Sequence, residues 1–384
     1  MKVDPNSSAL LLAVARHSLQ RDPDSIRNKA KVVSDWPAFV AMARAHRMAP
    51  MAYRSLEEAQ AAVPSATHEQ LAATYERNLC QSMVAASELL AVLAAFEHEQ
   101  IRTMPFKGIV LAASTYPDTG MRACGDLDLL IYRHDLDRAK AILRERGFRP
   151  VSAEFRGHPV AESETNLNHE DTLLRPHDGM IIELRWKLNF IYGRYGRDLG
   201  LDWAWQGRRT VQLNGAAVPG MSPEKNLLML CMHASRHIWS RLLWICDIAH
   251  LIASSPDLDW DSVESQARVL GLWKPLALGV LLAHRLVGCP LDRPLLVSLQ
   301  QDRTVLRLVQ HFEKHVLTMP GVGPAGRLPY NFLLLDIRDR MRVLFTPSIF
   351  KPNELDRAAL KFLVPQPLYY LVRPFRVLLD RSSR

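Results

Sequence analysis

The sequence predicts an α+β fold, a small mixed sheet flanked along the chain by helical regions. Three observations predict it. Residues 71–99 run through Ala and Leu without Gly or Pro, which suits one long helix. Residues 126–132 (DLDLLIY) alternate carboxylates with leucines and then turn apolar, the pattern of a strand with one polar and one core face. Residues 168–175 and 180–186 are strand-like runs on either side of Pro176-His177-Asp178-Gly179, a strong turn signal.

Each element follows in order. Leu10, Leu11, Val14 and Leu19 recur near helical spacing, as do Trp36, Phe39, Val40 and Ala43 behind the cap Ser34–Asp35. After the long helix, the short run Ile101–Met104 meets Pro105, and Phe106-Lys107-Gly108 opens a helix over 109–116. Pro117 to Gly120 is a turn. The strand at 126–132 leads into an amphipathic helix, 134–146, ended by Gly147 where a C-cap belongs. Residues 148–155 read as a further strand before the hairpin. From Ser222, with Pro223 at the first helical position, helices continue through Leu251, 260–271, 273–287 and 303–317. A Pro/Gly-rich break at 320–329 precedes the terminal segment. The expected organisation is a helical region over 1–95, a sheet-bearing core over 96–190 and a helical domain over 191–384.

Composition bounds the function. The 384 residues are 48% hydrophobic and 23% charged, which is globular rather than disordered. A formal charge of +8 and a pI of about 9.3 favour anionic partners such as nucleotides, nucleic acid or lipid headgroups. Basic residues interleave with acids and no run of five like charges occurs, so no basic nucleic-acid tail is expected. Cys80, Cys124, Cys231, Cys246 and Cys289 contain no CxxC pair, which argues against a disulfide framework or thiolate zinc site and fits a reducing compartment. The start lacks a secretory n-region and cleavage site, and no uninterrupted apolar stretch reaches the roughly 20 residues of a membrane span. A cytoplasmic location is expected. The run 368–379 mixes aromatics, leucines and arginines around Pro374, and docking on its own protein is expected ahead of contact with a membrane surface.

The chemistry concentrates at Asp126 and Asp128. Side chains two apart on a strand share a face, so these carboxylates can converge on one site. Their hard oxygens suit Mg²⁺ or Mn²⁺, which complete their shells with water and phosphate. The strand is otherwise apolar, and a metal would offset the cost of burying two acids. A second constellation is His233, His237, Ser240, Trp244 and Asp247, which share one face if 233–247 is a single helix. With no third ligand and no HExxH pattern, zinc is not expected there. Interior hydrogen-bonded histidines, or a stripe lining a cleft, remain.

The run Phe106-Lys107-Gly108 … Tyr116 … Arg122-Ala123-Cys124-Gly125-Asp126-Leu127-Asp128-Leu129-Leu130-Ile131 resembles a bacterial family of uncharacterised nucleotidyltransferases in the DNA polymerase beta-like superfamily. His233-Ala234-Ser235-Arg236-His237-Ile238-Trp239 … Leu243-Trp244 … Asp247-Ile248-Ala249 resembles its helical region, and the resemblance spans about residues 100–252. It implies a phosphate site at Lys107 and Gly108, metal-binding acids at Asp126 and Asp128, and a third carboxylate on a later strand, for which Glu183 is the candidate. Arg122 lies four residues before Asp126, within reach of the phosphates, and His233, His237 and Asp247 are expected to line the nucleotide or acceptor cleft. Transfer of a nucleoside monophosphate from an NTP, ATP first, to a hydroxyl of a peptide, protein or small molecule is implied, with Mg²⁺ or Mn²⁺ and release of pyrophosphate.

Two departures stand out. The spacing from Gly108 to Asp126 is longer than the superfamily's usual pattern. Glu183-Leu184-Arg185-Trp186 stands where the family often has Asp-Leu-His-Trp. They keep open an alternative, a catalytically silent nucleotide- or peptide-binding module on the same fold. A nucleic-acid-extending enzyme is not expected, for want of a basic cluster with interleaved aromatics.

Overall fold

The computed structural model describes residues 4–151, 169–188 and 199–318, together with Tyr330, Leu333 and Leu334. Short acidic caps begin the first helices. Asp4 accepts from the N–H groups of Asn6 and Ser7 at α1 (Pro5–Gln20), Asp22 caps α2 (Pro23–Ala30), and Asp35 caps α3 (Trp36–Ala45). After α4 (Ala49–Glu58) comes α5 (Ser65–His98), which buries the stripe Leu71, Asn78, Ser82, Ala86, Leu89, Val92 and Phe96. One 18-residue window of α5 is apolar and long enough to cross a membrane by length and composition, which its many alanines explain.

The sheet holds β1 (Thr103–Phe106), β2 (Leu127–Ile131), β3 (Arg149–Pro150), β4 (Glu170–Arg175) and β5 (Met180–Arg185), in the order β1-β2-β5-β4-β3. Only β2 and β5 run parallel; the other neighbours are antiparallel. Helix α6 (Gly108–Thr115) follows β1, and α7 (Leu136–Glu145) follows β2. Alternation along the strands divides the sheet between two cores. Leu127, Leu129, Ile131, Leu173, Ile182 and Leu184 pack with α5 and α7, while Met104, Phe106 and Leu130 turn the other way into a larger helical core. The expected strand over 148–155 is β3, extended by the Val151 N–H bonded to the Thr172 carbonyl (3.0 Å). The rest of that run lies outside the described residues.

Then come α8 (Leu201–Trp205), β6 (Arg209–Leu213), β7 (Ala216–Gly220), α9 (Pro223–Arg236), α10 (Leu242–Ala253), α11 (Trp260–Leu270), α12 (Trp273–Leu282), α13 (Arg293–Leu299) and α14 (Arg303–His315). The β6–β7 hairpin interrupts a stretch read from sequence as the start of a helical domain. Asn214 and Gly215 form its turn, both at positive φ (49° and 80°), as the tight hairpin requires. The helices of α1, α3 and α4 share one core with α9, α10 and α12, so the chain's two helical regions meet directly. Arg16 Nε donates to the Leu286 carbonyl (3.0 Å) across that seam.

The stretch 233–247 is not one helix. It breaks between α9 and α10, where Ile238 and Trp239 both adopt φ 51°. Such a conformation is costly for a β-branched residue. Trp239 holds it by full burial, its indole N–H donating to the Tyr330 hydroxyl at 2.6 Å. The terminal run 368–379 lies outside the described residues.

Candidate active site

Asp126 ends the loop into β2, and Asp128 is its second strand residue, so both project from one face. The parallel register sets Glu183 of β5 beside Asp128 on that same face. Arg185, two residues along β5, shares the face, and Glu170 opposes it on β4. Asp128 is 3% exposed, and buried carboxylates need partners. Lys107 Nζ donates to its Oδ1 at 2.8 Å, with Arg185 Nε 3.5 Å from the same oxygen. Arg185 also ion-pairs with Glu183 and Glu170.

Four carboxylates (Asp126, Asp128, Glu170 and Glu183) therefore face two cations, Lys107 and Arg185. Ionised throughout, the cluster carries an excess of two negative charges. Burial pushes the Asp128 carboxyl up to about 7, aided by the charges of Asp126 and Glu183 and opposed by Lys107 and Arg185. Glu183 stays below the usual carboxylate range: burial works against its charge, and Arg185, then Lys107, more than offset it.

Lys107 sits at φ 55° immediately before Gly108 at φ 43°, a strained pair that turns the chain sharply from β1 into α6. No side chain caps α6, so its first N–H groups and the positive end of its dipole remain available to an anion. Gly108 is required there: a Cβ would stand 2.9 Å from the Asp126 carbonyl oxygen. Gly108→Ala is expected to cost about 1–3 kcal/mol of stability through clash and strain together, read as a lowered Tm, and to weaken nucleotide binding.

Arg122 and Asp247 take another place. The guanidinium lies in a two-pronged pair with the Asp247 carboxylate (Nε to Oδ1 2.7 Å, Nη2 to Oδ2 2.9 Å), and its Nη1 donates to the Gly108 carbonyl at 3.0 Å. The Tyr116 hydroxyl donates to the same carboxylate at 2.8 Å. Neither residue faces the acids, because each is spent on the other; together they brace the start of α6 from behind. Asn78 of α5 fastens the same loop, its amide donating to the carbonyls of Gly120 and Arg122.

His250 packs against this brace, stacked on Tyr116 at 4.2 Å with Nε2 2.9 Å from Ser18 Oγ. Burial pushes it down to about 4, against the pull of Asp247 and with a small contribution from Arg21. A histidine depressed in the folded state is neutral in both states above about 6.5, so its stability contribution is intact there. Below that, the unfolded chain takes a proton the folded one refuses, and stability falls as pH drops toward 4. Wild type is therefore expected to lose about 2 kcal/mol more than His250→Gln between pH 7 and 5 in denaturant melts.

His233 and His237 come together around Trp244, with ring centroids 5.4 and 5.1 Å from the indole, despite the break in the helix. Burial holds His233 well below its usual range, followed by the charges of Lys107, His237, Arg185 and Arg236. It is thus a neutral ring within the field of the acidic cluster's two cations. The residues not anticipated from sequence are Arg185 as the hub of the acids, and Arg47 and Arg241, which come near Asp126 from two helical turns.

A cavity of about 250 Å³ runs along α6, between Lys107, Leu111 and Ser114 on one side and Val211, Gln212 and Asn226 on the other. It touches Lys107 but none of the carboxylates.

A mixed sheet carrying acids on one face, beside an uncapped helix start, is the architecture of a nucleotidyltransferase. Residues 33–288 match the family described as uncharacterised nucleotidyltransferase, and the chain belongs to that family. Among solved structures it is similar to the lincosamide antibiotic adenylyltransferase LnuA, crystallised with lincomycin bound. That match has 16% identity and a TM-score of 0.27, over 37% of this chain and 83% of the other. No curated protein matches the chain.

Proposed function

We propose that the protein transfers a nucleoside monophosphate from an NTP, ATP first, to a hydroxyl-bearing acceptor and releases pyrophosphate. The observation that carries this reading is the clustering of Asp126, Asp128 and Glu183 on one sheet face beside the uncapped start of α6. The family gives the same class of chemistry.

The donor set is all hard oxygen, which suits Mg²⁺ or Mn²⁺. Asp126, Asp128 and Glu183 would hold such an ion. When bound, it would neutralise charge developing on the transferred phosphoryl group. The chain's own groups do the rest. The N–H groups at the start of α6 and the Lys107 ammonium hold phosphate oxygens. Glu183, kept ionised by Arg185, accepts the proton of the acceptor hydroxyl. A bond forms between that oxygen and the α-phosphorus, the bond from the α-phosphorus to the bridging oxygen breaks, and pyrophosphate leaves with the electron pair. Positioning and charge neutralisation carry most of the rate. The five free thiols support a reducing, cytoplasmic setting.

One observation favours a second reading. Among the described residues no three acids, histidines or cysteines are arranged to hold a metal as they stand, and Lys107 and Arg185 already neutralise Asp128. A silent nucleotide-binding module would keep that arrangement. Pyrophosphate release and transfer of α-labelled nucleotide to cell extract, with four NTPs and Mg²⁺ or Mn²⁺, separates the two. Label transfer supports the enzyme; tight NTP binding without transfer in any mixture leaves the module.

A further inference from the structure

The turn after α3 and the turn before α10 bring two arginines to the outer side of Asp126. Arg47 sits at φ 56° and lays its guanidinium along Gly125, where a Cβ would be 3.3 Å from Nη1. Arg241 precedes α10 and spans the Trp244 ring at 5.2 Å. The two turns are tied together, because the Leu242 N–H donates to Nδ1 of the fully buried His46 at 3.3 Å. Among the described residues neither guanidinium has a carboxylate within ion-pairing distance, whereas Arg54, Arg122 and Arg285 each pair with one. They also lie within each other's field: burial and the Arg47 charge depress Arg241, and Asp126 draws it back.

Two like charges, both half-buried, one of them on a left-handed backbone and neither ion-paired with a carboxylate among the described residues, are an unfinished arrangement. Gly125 supplies the continuity. Arg47 rests on it, and the start of α6 presses on the carbonyl of the next residue, Asp126. The positive end of α6 and the two guanidinium groups thus form one strip beside the acids.

We propose that Arg47 and Arg241 form a clamp for the pyrophosphate end of the nucleoside triphosphate. This rests on the nucleotidyltransferase reading and adds to it the groups that hold the leaving portion of the substrate. Planar guanidinium forks suit the paired oxygens of a diphosphate, and the Trp244 face keeps one fork oriented. The clamp recognises the phosphate tail and not the base, so it selects triphosphates over monophosphates without choosing among nucleobases.

Calorimetric titration of the full-length protein with Mg²⁺ tests this, using inorganic pyrophosphate, an NTP and the corresponding monophosphate as probes. Arg47→Gln and Arg241→Gln are each expected to weaken pyrophosphate and NTP binding roughly 10- to 100-fold and to leave the monophosphate within about twofold. Arg47→Lys and Arg241→Lys, which keep the charge and guard against misfolding, are expected to recover part of that loss. Wild-type affinity for both tail-bearing probes in the Gln variants would overturn the clamp, as would an equal loss for the monophosphate. Wild type binding no nucleotide at all removes the underlying reading instead, so the two failures are distinct.

Discussion

Asp128→Asn is expected to lower nucleotide transfer by at least about 10³-fold while leaving the fold intact or slightly steadier. The two effects separate because they draw on different properties of one side chain. Asn keeps the shape of the carboxylate inside β2, and burial already pushes the Asp128 carboxyl up to about 7, so removing its charge relieves desolvation. What disappears is the negative oxygen needed to face a metal or a phosphate-bound cation. Asp126→Asn is expected to give the same loss of transfer. Single-turnover transfer of α-labelled nucleotide beside a thermal melt reads both quantities. Transfer within tenfold of wild type would place the chemistry elsewhere, and a large fall in Tm would make Asp128 a structural partner of Lys107 and Arg185.

The second large effect is on stability. Arg122 and Asp247 are buried, bonded through two prongs, and joined by Tyr116 and the Gly108 carbonyl. Removing one partner leaves an uncompensated buried charge, so Arg122→Ala or Asp247→Ala is expected to cost about 3–5 kcal/mol. For a chain of this size that is a drop in Tm of roughly 4–6 °C. The double replacement Arg122→Met with Asp247→Leu is expected to recover much of the loss, because no orphan charge remains. Denaturant melts of the wild type, the two single variants and the double variant show whether the orphan charge carries the cost. Single variants melting within about 2 °C of wild type would show that the brace carries little.

Much of the architecture was legible where the signal is local. Asp35 stands at the cap of α3, and Pro176–Gly179 marks the β4–β5 turn. The alternation of Asp126, Asp128 and Leu130 against Leu127, Leu129 and Ile131 gives both faces of β2. Glu183 is the third carboxylate that the resemblance points to, and the parallel register of β2 and β5 sets it beside Asp128. The β6–β7 hairpin also carries a local signal, an Asn-Gly pair flanked by Val211, Leu213 and Val218.

The rest depended on distance that sequence does not carry. Arg122 and Asp247 are 125 positions apart, and an arginine four residues before a catalytic-type strand reads equally well as a phosphate ligand. Arg47 and Arg241 come beside Gly125 and Asp126 from turns far apart in the sequence. The break after Arg236 has no Gly or Pro to announce it; Trp239 overrides local propensity by finding a buried partner in Tyr330.

The seam between the amino-terminal helices and those that follow the sheet has a consequence for how the molecule is made. Arg16 meets Leu286 across 270 residues, and α1 packs on α10. During synthesis the amino-terminal helices emerge with their apolar faces uncovered and wait for most of the chain before the core can close. The sheet waits too, since Met104, Phe106 and Leu130 belong to that same late core. A shortened chain lacking α9 and α10 would leave one face of its sheet without a cover.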